Sequence, residues 1–215
     1  MIRIRSMIFN SFQVNTYIVW DETGDCLVID PAFYTPEERE QFEGFLSENR
    51  LRITGQINTH CHIDHVLGVN HIRSVYGQPF RAHAAETRLA ASAPLMGEVF
   101  GLKTEPLPPI DATVAEGDQV AAGKYMLQTF HVPGHSPGSL AFYSPEGAFL
   151  ISGDALFAGS IGRTDLPGGN YDHLIRSIRE KLLVLPEETV VYPGHGPATT
   201  IGKEVLENPF LAMAE

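Results

Sequence analysis

Cysteine is nearly missing from this chain: of 215 residues only two, Cys26 and Cys61, carry a thiol. Two cysteines build no disulfide framework, so a fold stapled for an oxidising compartment is excluded and a cytoplasmic location is expected. Basic charge is short as well. Lys and Arg number 15 against 26 Asp and Glu, a formal net charge of −11, which argues against a phosphate-tracking surface and hence against nucleic acid as a partner. No apolar run is long enough to span a bilayer. The opening Met1-Ile2-Arg3-Ile4-Arg5 alternates as a strand does and lacks the apolar core of a signal peptide. What remains is a globular composition, 43% hydrophobic, at a length suited to one domain over residues 1–215 with a substantial core.

The chain is rich instead in closely spaced ligand-type side chains. Thr59-His60-Cys61-His62-Ile63-Asp64-His65 places four potential metal ligands within six positions. His60 and His62 are two apart, so in extended backbone their imidazoles leave on the same side while the Cys61 thiol points away. Asp64 and His65 follow where the chain turns toward a helix. One metal does not easily accept all four from so tight a turn, and the spacing suits two cations side by side. Burying these groups without a metal would be costly.

Three further ligands stand where a strand runs into a glycine turn. His135 lies in Pro133-Gly134-His135-Ser136-Pro137-Gly138, Asp154 in Ile151-Ser152-Gly153-Asp154, and His195 in Tyr192-Pro193-Gly194-His195-Gly196-Pro197. Glycine permits the tight path that brings backbone close to an ion. The set is five imidazoles and two carboxylates without sulfur, a chemistry that suits zinc, iron or manganese. His71, His83, His131 and His173 lack such a setting and read as packing or surface residues.

The pattern predicts strands at 2–9, 14–20, 25–30 and 53–58, then at 119–121, 125–132, 140–143, 149–152 and 189–192, with a short one at 79–83. Helices are predicted at 37–50, 64–76, 84–92, 172–183 and 200–206. The proline-rich, poorly periodic stretch 94–109 reads as a lobe over the site. Strands and helices in both halves, with ligands at strand ends, imply two packed sheets covered by helices.

The His60–His65 cluster, followed in order by Gly134-His135, Gly153-Asp154 and Gly194-His195, resembles the metallo-β-lactamase superfamily over residues 10–197. The resemblance implies an α/β fold, a four-layer αββα sandwich of two mixed sheets flanked by helices. Asn15-Thr16-Tyr17, Gly162-Arg163-Thr164-Asp165 and Asn208-Pro209-Phe210-Leu211 are similar to the short glyoxalase II-like hydrolases within it. It further implies that His60, His62 and His135 hold one divalent ion, that Asp64, His65 and His195 hold a second, and that Asp154 bridges them. Asp30 would orient a ligand from behind, or serve only as a turn former. Glyoxalase II continues into a helical domain that helps hold glutathione; about 18 residues follow Pro197 here, so no separate glutathione-binding domain is expected.

The expected activity is hydrolysis of a small-molecule thioester, of the S-2-hydroxyacylglutathione type, by a metal-bridging hydroxide that Asp64 orients. A thiolate with a reference pKa near 8.5 leaves without an acid, whereas an amine does not. Arg163 either grips a substrate carboxylate or pairs with Asp165 to shape its loop. Persulfide dioxygenases share similar segments and are the rival, with one iron on His60, His135 and Asp154. A lactonase, a β-lactamase and a non-catalytic metal-binding module are further alternatives.

Overall fold

The computed structural model describes residues 1–211, so the last four residues of the expected 1–215 unit lie outside it. The first sheet holds β1 (Arg3–Phe9), β2 (Val14–Trp20), β3 (Asp25–Ile29) and, after helix α1 (Pro36–Glu48), β4 (Arg52–Ile57), in that spatial order. β1 to β3 are antiparallel, whereas β4 lies parallel to β3, and α1 is the crossover a parallel pair requires. Thr35 caps α1 in a reciprocal bond with Glu38, and Pro36 opens it. Helix α2 (Val69–Tyr76), strand β5 (Arg81–Ala82), helix α3 (Thr87–Val99) and strand β6 (Ala112–Thr113) lead to the second half.

There β7 (Gln119–Ala122), β8 (Tyr125–His131), β9 (Leu140–Ser144) and β10 (Phe149–Gly153) run antiparallel in sequence. A small hairpin of β11 (Leu156–Phe157) and β12 (Ser160–Ile161) follows, then helix α4 (Tyr171–Ser177). The chain returns as β13 (Val190–Pro193), parallel to β10, then β14 (Thr199–Thr200) and helix α5 (Ile201–Glu207). The second sheet is thus ordered β14-β13-β10-β9-β8-β7.

Strand alternation decides the layers. Tyr17, Val19, Leu27 and Ile29 of the first sheet meet Leu127, Leu140, Phe142 and Ile151 of the second. The opposite faces take the helices: Ile18 and Val28 pack with Phe42 of α1 and Ile72 of α2, while Leu150 and Val191 pack with Leu174 of α4 and Ile201 of α5. The architecture is the αββα sandwich expected. Among the described residues no helix is long and apolar enough to cross a membrane.

Three helical expectations need correction. The helix expected over 64–76 is a 3₁₀ turn at Ile63–His65 followed by α2 from Val69. The break falls at Val66 to Gly68, and Gly68 lies against the Phe33 ring, where a Cβ would clash. The helix expected to stop near residue 92 instead runs through Pro94 to Val99, so the first part of the 94–109 lobe is helical. Pro94 forfeits one backbone bond, but burial of Ala90 and Ala93 in a cluster with Ile63, Val69 and Phe80 outweighs it. The helix expected over 172–183 is α-helical only to Ser177 and continues as a π turn at Ile178–Leu182.

Candidate metal centre

All seven sequence-predicted ligands converge at one end of the sandwich. His60 Nε2 lies 3.3 Å from His135 Nε2, and His62 Nδ1 lies 2.9 Å from the same His135 atom. Beside them, His65 Nε2 is 3.3 Å from His195 Nε2, and Asp64 Oδ2 is 3.3 Å from His195 Nε2. The Asp154 carboxylate faces both groups, with Oδ1 3.5 Å from His65 Nε2 and Oδ2 3.6 Å from His135 Nε2 and 3.5 Å from His195 Nε2. His60-His62-His135, His60-His65-Asp154 and Asp64-His65-His195 each bring their donor atoms within 4.8 Å of one another.

The backbone that delivers these side chains is pinned from the opposite sheet. Asn15 donates its backbone N–H to the Gly194 carbonyl at 2.7 Å and its side-chain amide to Pro193 and Gly196 at 2.9 Å each. The Tyr17 hydroxyl donates to the Pro193 carbonyl at 2.6 Å. The Asn15-Thr16-Tyr17 segment of β2 therefore holds the loop that carries His195. Asn58 and Asn10 donate side-chain N–H to the carbonyls of His65 and Asp64, at 2.8 and 2.9 Å. Asn208 and the buried Glu204 do the same for the β11–β12 hairpin: Asn208 donates to the Ser160 carbonyl and Glu204 accepts from the Gly159 N–H.

Asp30 sits behind the centre at the end of β3 with a left-handed φ of 52°, a conformation rare outside glycine, asparagine and aspartate. Its carboxylate accepts from the Thr59 N–H and the Thr59 hydroxyl, at 2.7 Å each, and lies 3.0 Å from His65 Nδ1. The outward nitrogens of two other imidazoles are likewise engaged. His135 Nδ1–H donates to the Arg163 carbonyl at 2.8 Å, and His195 Nδ1–H donates to the Phe12 carbonyl at 3.0 Å. Fixing the proton on Nδ1 leaves each Nε2 lone pair aimed inward.

The donor set fits cations. Neutral imidazoles whose lone pairs face one another at about 3 Å repel unless a positive charge lies between them, and the buried Asp154 Oδ1 accepts no hydrogen bond. Ionisation differs between the two sides. Burial, then the neighbouring imidazoles, holds His60 well below its usual range and His62 and His135 down at about 4. Burial would also depress His65, but Asp154, Asp64 and Asp30 outweigh it and raise His65 to about 10. His195 is raised too, its burial offset by the Asp64 hydrogen bond and by Asp154. Burial thus favours the neutral form of His60, His62 and His135, whereas the carboxylates favour the charged form of His65 and His195, so loading of that second side is favoured by rising pH.

Two features escaped the sequence reading. Glu86, fully buried just before α3, accepts from the Cys61 N–H at 2.7 Å, the Ser136 hydroxyl at 2.8 Å and the Gly138 N–H at 2.7 Å. It ties the His60–His65 segment to the His135 loop. A lone acid in Ala84-Ala85-Glu86-Thr87 offers no signal of that role. Replacing it by Gln keeps the volume but turns an amide N–H₂ toward at least one of these donors, and the expected cost is about 1–3 kcal/mol of stability. Metal affinity should fall about 10- to 100-fold, the range for groups that orient ligands. Calorimetry and competitive metal titration of Glu86→Gln check both, and unchanged metal affinity would leave Glu86 a purely structural acid.

The second missed feature is the apolar wall of a cavity of about 450 Å³ that opens onto the centre and is walled in part by α3. The remaining candidates are accounted for structurally. Cys61 is buried among Ile63 and Val66, and burial pushes its thiol well above the usual range. The Arg163 guanidinium stands at the cavity rim and pairs with Asp165 through two bonds of 2.8 Å. His71 bonds Glu43 at 2.8 Å, and His83 stacks on His131 with ring centroids 4.2 Å apart.

An αββα sandwich with a paired His/Asp cluster at its sheet ends defines a metallo-hydrolase scaffold. The chain belongs to the metallo-β-lactamase superfamily, whose sequence profile matches residues 10–195. It is 37% identical to the probable metallo-hydrolase YqgX of Bacillus subtilis, over 96% of each chain. It is 35% identical to the hydroxyacylglutathione hydrolase GloC of Haemophilus influenzae, over 94% of each. The mitochondrial persulfide dioxygenase ETHE1 of Mus musculus is 28% identical over 98% of this chain and 76% of its own. Among solved structures, the BLEG-1 B3 metallo-beta-lactamase superposes with a TM-score of 0.89 at 33% identity, covering 98% of this chain and all (100%) of its own. TTHA1623 in a di-iron-bound form superposes with a TM-score of 0.87 at 37% identity, covering 96% and 100%.

Proposed function

We propose that this protein is a two-metal thioester hydrolase of the glyoxalase II-like kind. His60, His62 and His135 would hold one divalent ion and Asp64, His65 and His195 the other, with Asp154 shared. Bound there, such a pair supplies an acidified water and polarises a carbonyl. The chain's own groups do the rest. Asp64, kept ionised by His65 and His195 despite its burial, would accept a hydrogen bond from the attacking water and hold its orientation. Asp30 would keep the His65 ring in place.

The observation that carries the reading is what lines the cavity. Apart from the five metal-ligand candidates that line it, the described side chains there that carry an O–H, S–H or N–H proton are Cys61, Ser92 and Arg163, and none of the three is an acid suited to donate it near neutral pH. A site without a resident acid fits a leaving group that departs as its own anion, as a thiolate does. The hydroxyacylglutathione hydrolase among the relatives supports it, whereas the scaffold by itself does not choose a substrate.

The persulfide dioxygenase relative keeps a second reading in view: one iron and oxygen consumption. Metal analysis paired with hydrolysis and oxygen-uptake assays separates them. We expect two ions per chain at saturation and S-lactoylglutathione hydrolysis without oxygen uptake, lost in His65→Ala and His195→Ala. A single iron, with oxygen uptake that survives both substitutions, would assign the dioxygenase.

A further inference from the structure

The cavity beside the metal centre has a composition that the hydroxyacylglutathione expectation does not explain. Its wall is made by Leu89, Ala93 and Met96 on one face of α3, by Phe100 just beyond it, by Phe12 in the β1–β2 turn and by Phe157 of β11. Phe12 and Phe100 meet edge-to-face with centroids 5.2 Å apart, while Phe100 remains 50% exposed. An aromatic ring left half in water at the rim of an apolar cavity gains from a ligand that covers it.

Charge points the same way. A glutathione moiety brings two carboxylates and an ammonium, which need partners of opposite sign. Among the described residues lining the cavity Arg163 is the one arginine or lysine, and both arms of its guanidinium are already on Asp165. A lactoyl group is small and polar, and cannot fill about 450 Å³ of apolar space.

We propose that the cavity receives an apolar acyl chain, so that the preferred substrates are thioesters of medium-length, unbranched or aryl carboxylic acids, with the thiol portion lying outward in solvent. The proposal rests on the thioester-hydrolase reading. The scissile carbonyl lies at the metal centre, and each methylene buried against α3 adds roughly fourfold to binding.

The test uses metal-loaded protein, S-acyl-N-acetylcysteamine thioesters from acetyl to octanoyl, and S-lactoylglutathione. Binding of the free straight-chain carboxylates, acetate to octanoate, is measured alongside by calorimetry and needs no turnover. The expected result is a kcat/KM that climbs about fourfold per methylene at least to hexanoyl and exceeds that for S-lactoylglutathione, with carboxylate affinity climbing in parallel. Met96→Gln and Leu89→Gln, both at partly exposed positions on α3, should flatten both slopes. Chain-length-independent binding and turnover, with S-lactoylglutathione preferred, would overturn the apolar-acyl assignment and leave thioester hydrolysis standing. Carboxylate affinity that climbs with chain length while no thioester is consumed would uphold the cavity assignment and overturn the hydrolase reading instead.

Discussion

Asp154→Asn is expected to weaken metal binding on both sides of the centre and to cut turnover by more than about 100-fold. Groups that merely orient a ligand already contribute 10- to 100-fold, and Asp154 faces both clusters directly, with one oxygen 3.5 Å from His65 Nε2 and the other 3.6 Å from His135 Nε2. An amide keeps the shape but would remove the negative charge that the two proposed ions share and present N–H₂ to one of them. Burial raises the Asp154 carboxyl even against the pull of His65 and His195. In the metal-free protein the same carboxylate is the leading group that raises His65, so its loss should lower the pH at which His65 gives up its proton. Metal content after dialysis, kcat, and the pH titration of His65 with chelator present test the whole pattern. Two retained ions with full turnover would exclude a shared role for Asp154.

Gly194→Ala is expected to be nearly as damaging, although it adds one methyl group and touches no ligand atom chemically. A Cβ at this position would lie 2.8 Å from His65 Cε1 and closer still to Asp154 Oδ1. The backbone has no slack, because the Gly194 N–H donates to the Gly153 carbonyl at 2.8 Å and its own carbonyl accepts from Asn15 at 2.7 Å. The methyl must displace Asp154 and His65, the residues on which the Asp64-His65-His195 side depends. We expect loss of the ion on that side, a fall in turnover of more than about 100-fold, and about 1–3 kcal/mol of destabilisation from overpacking. Elemental analysis showing two ions, with turnover within a few-fold of the parent, would mean that the β10 and β13 ends part more easily than their hydrogen bonds imply.

The legibility of the site in the sequence follows its spacing. His60, His62, Asp64 and His65 stand out because ligand-type residues seldom crowd so closely, and glycine beside His135, Asp154 and His195 marks turns where backbone approaches an ion. Asn15 and Tyr17 were visible as part of a resemblance, but what they hold was not, since they lie on β2 and their partners at Pro193 to Gly196 on the opposite sheet. Glu86 left no trace because its three donors, at Cys61, Ser136 and Gly138, come from segments up to 52 residues away. Pro94 misled, since local propensity ends a helix there while burial of Ala90 and Ala93 carries it on.

The sequence by itself determined the αββα layering and singled out the seven candidate donors that the fold brings together, because strand period and ligand spacing are properties of neighbours along the chain. Only the tertiary structure decided the direction in which each imidazole shifts, down for His60, His62 and His135 and up for His65 and His195. That division depends on how closely Asp30, Asp64 and Asp154 approach His65 in a buried setting. It alone likewise gave the cavity its apolar wall: Phe12, α3 and Phe157 are remote in sequence, and enclosed apolar space arises where distant segments close over one another.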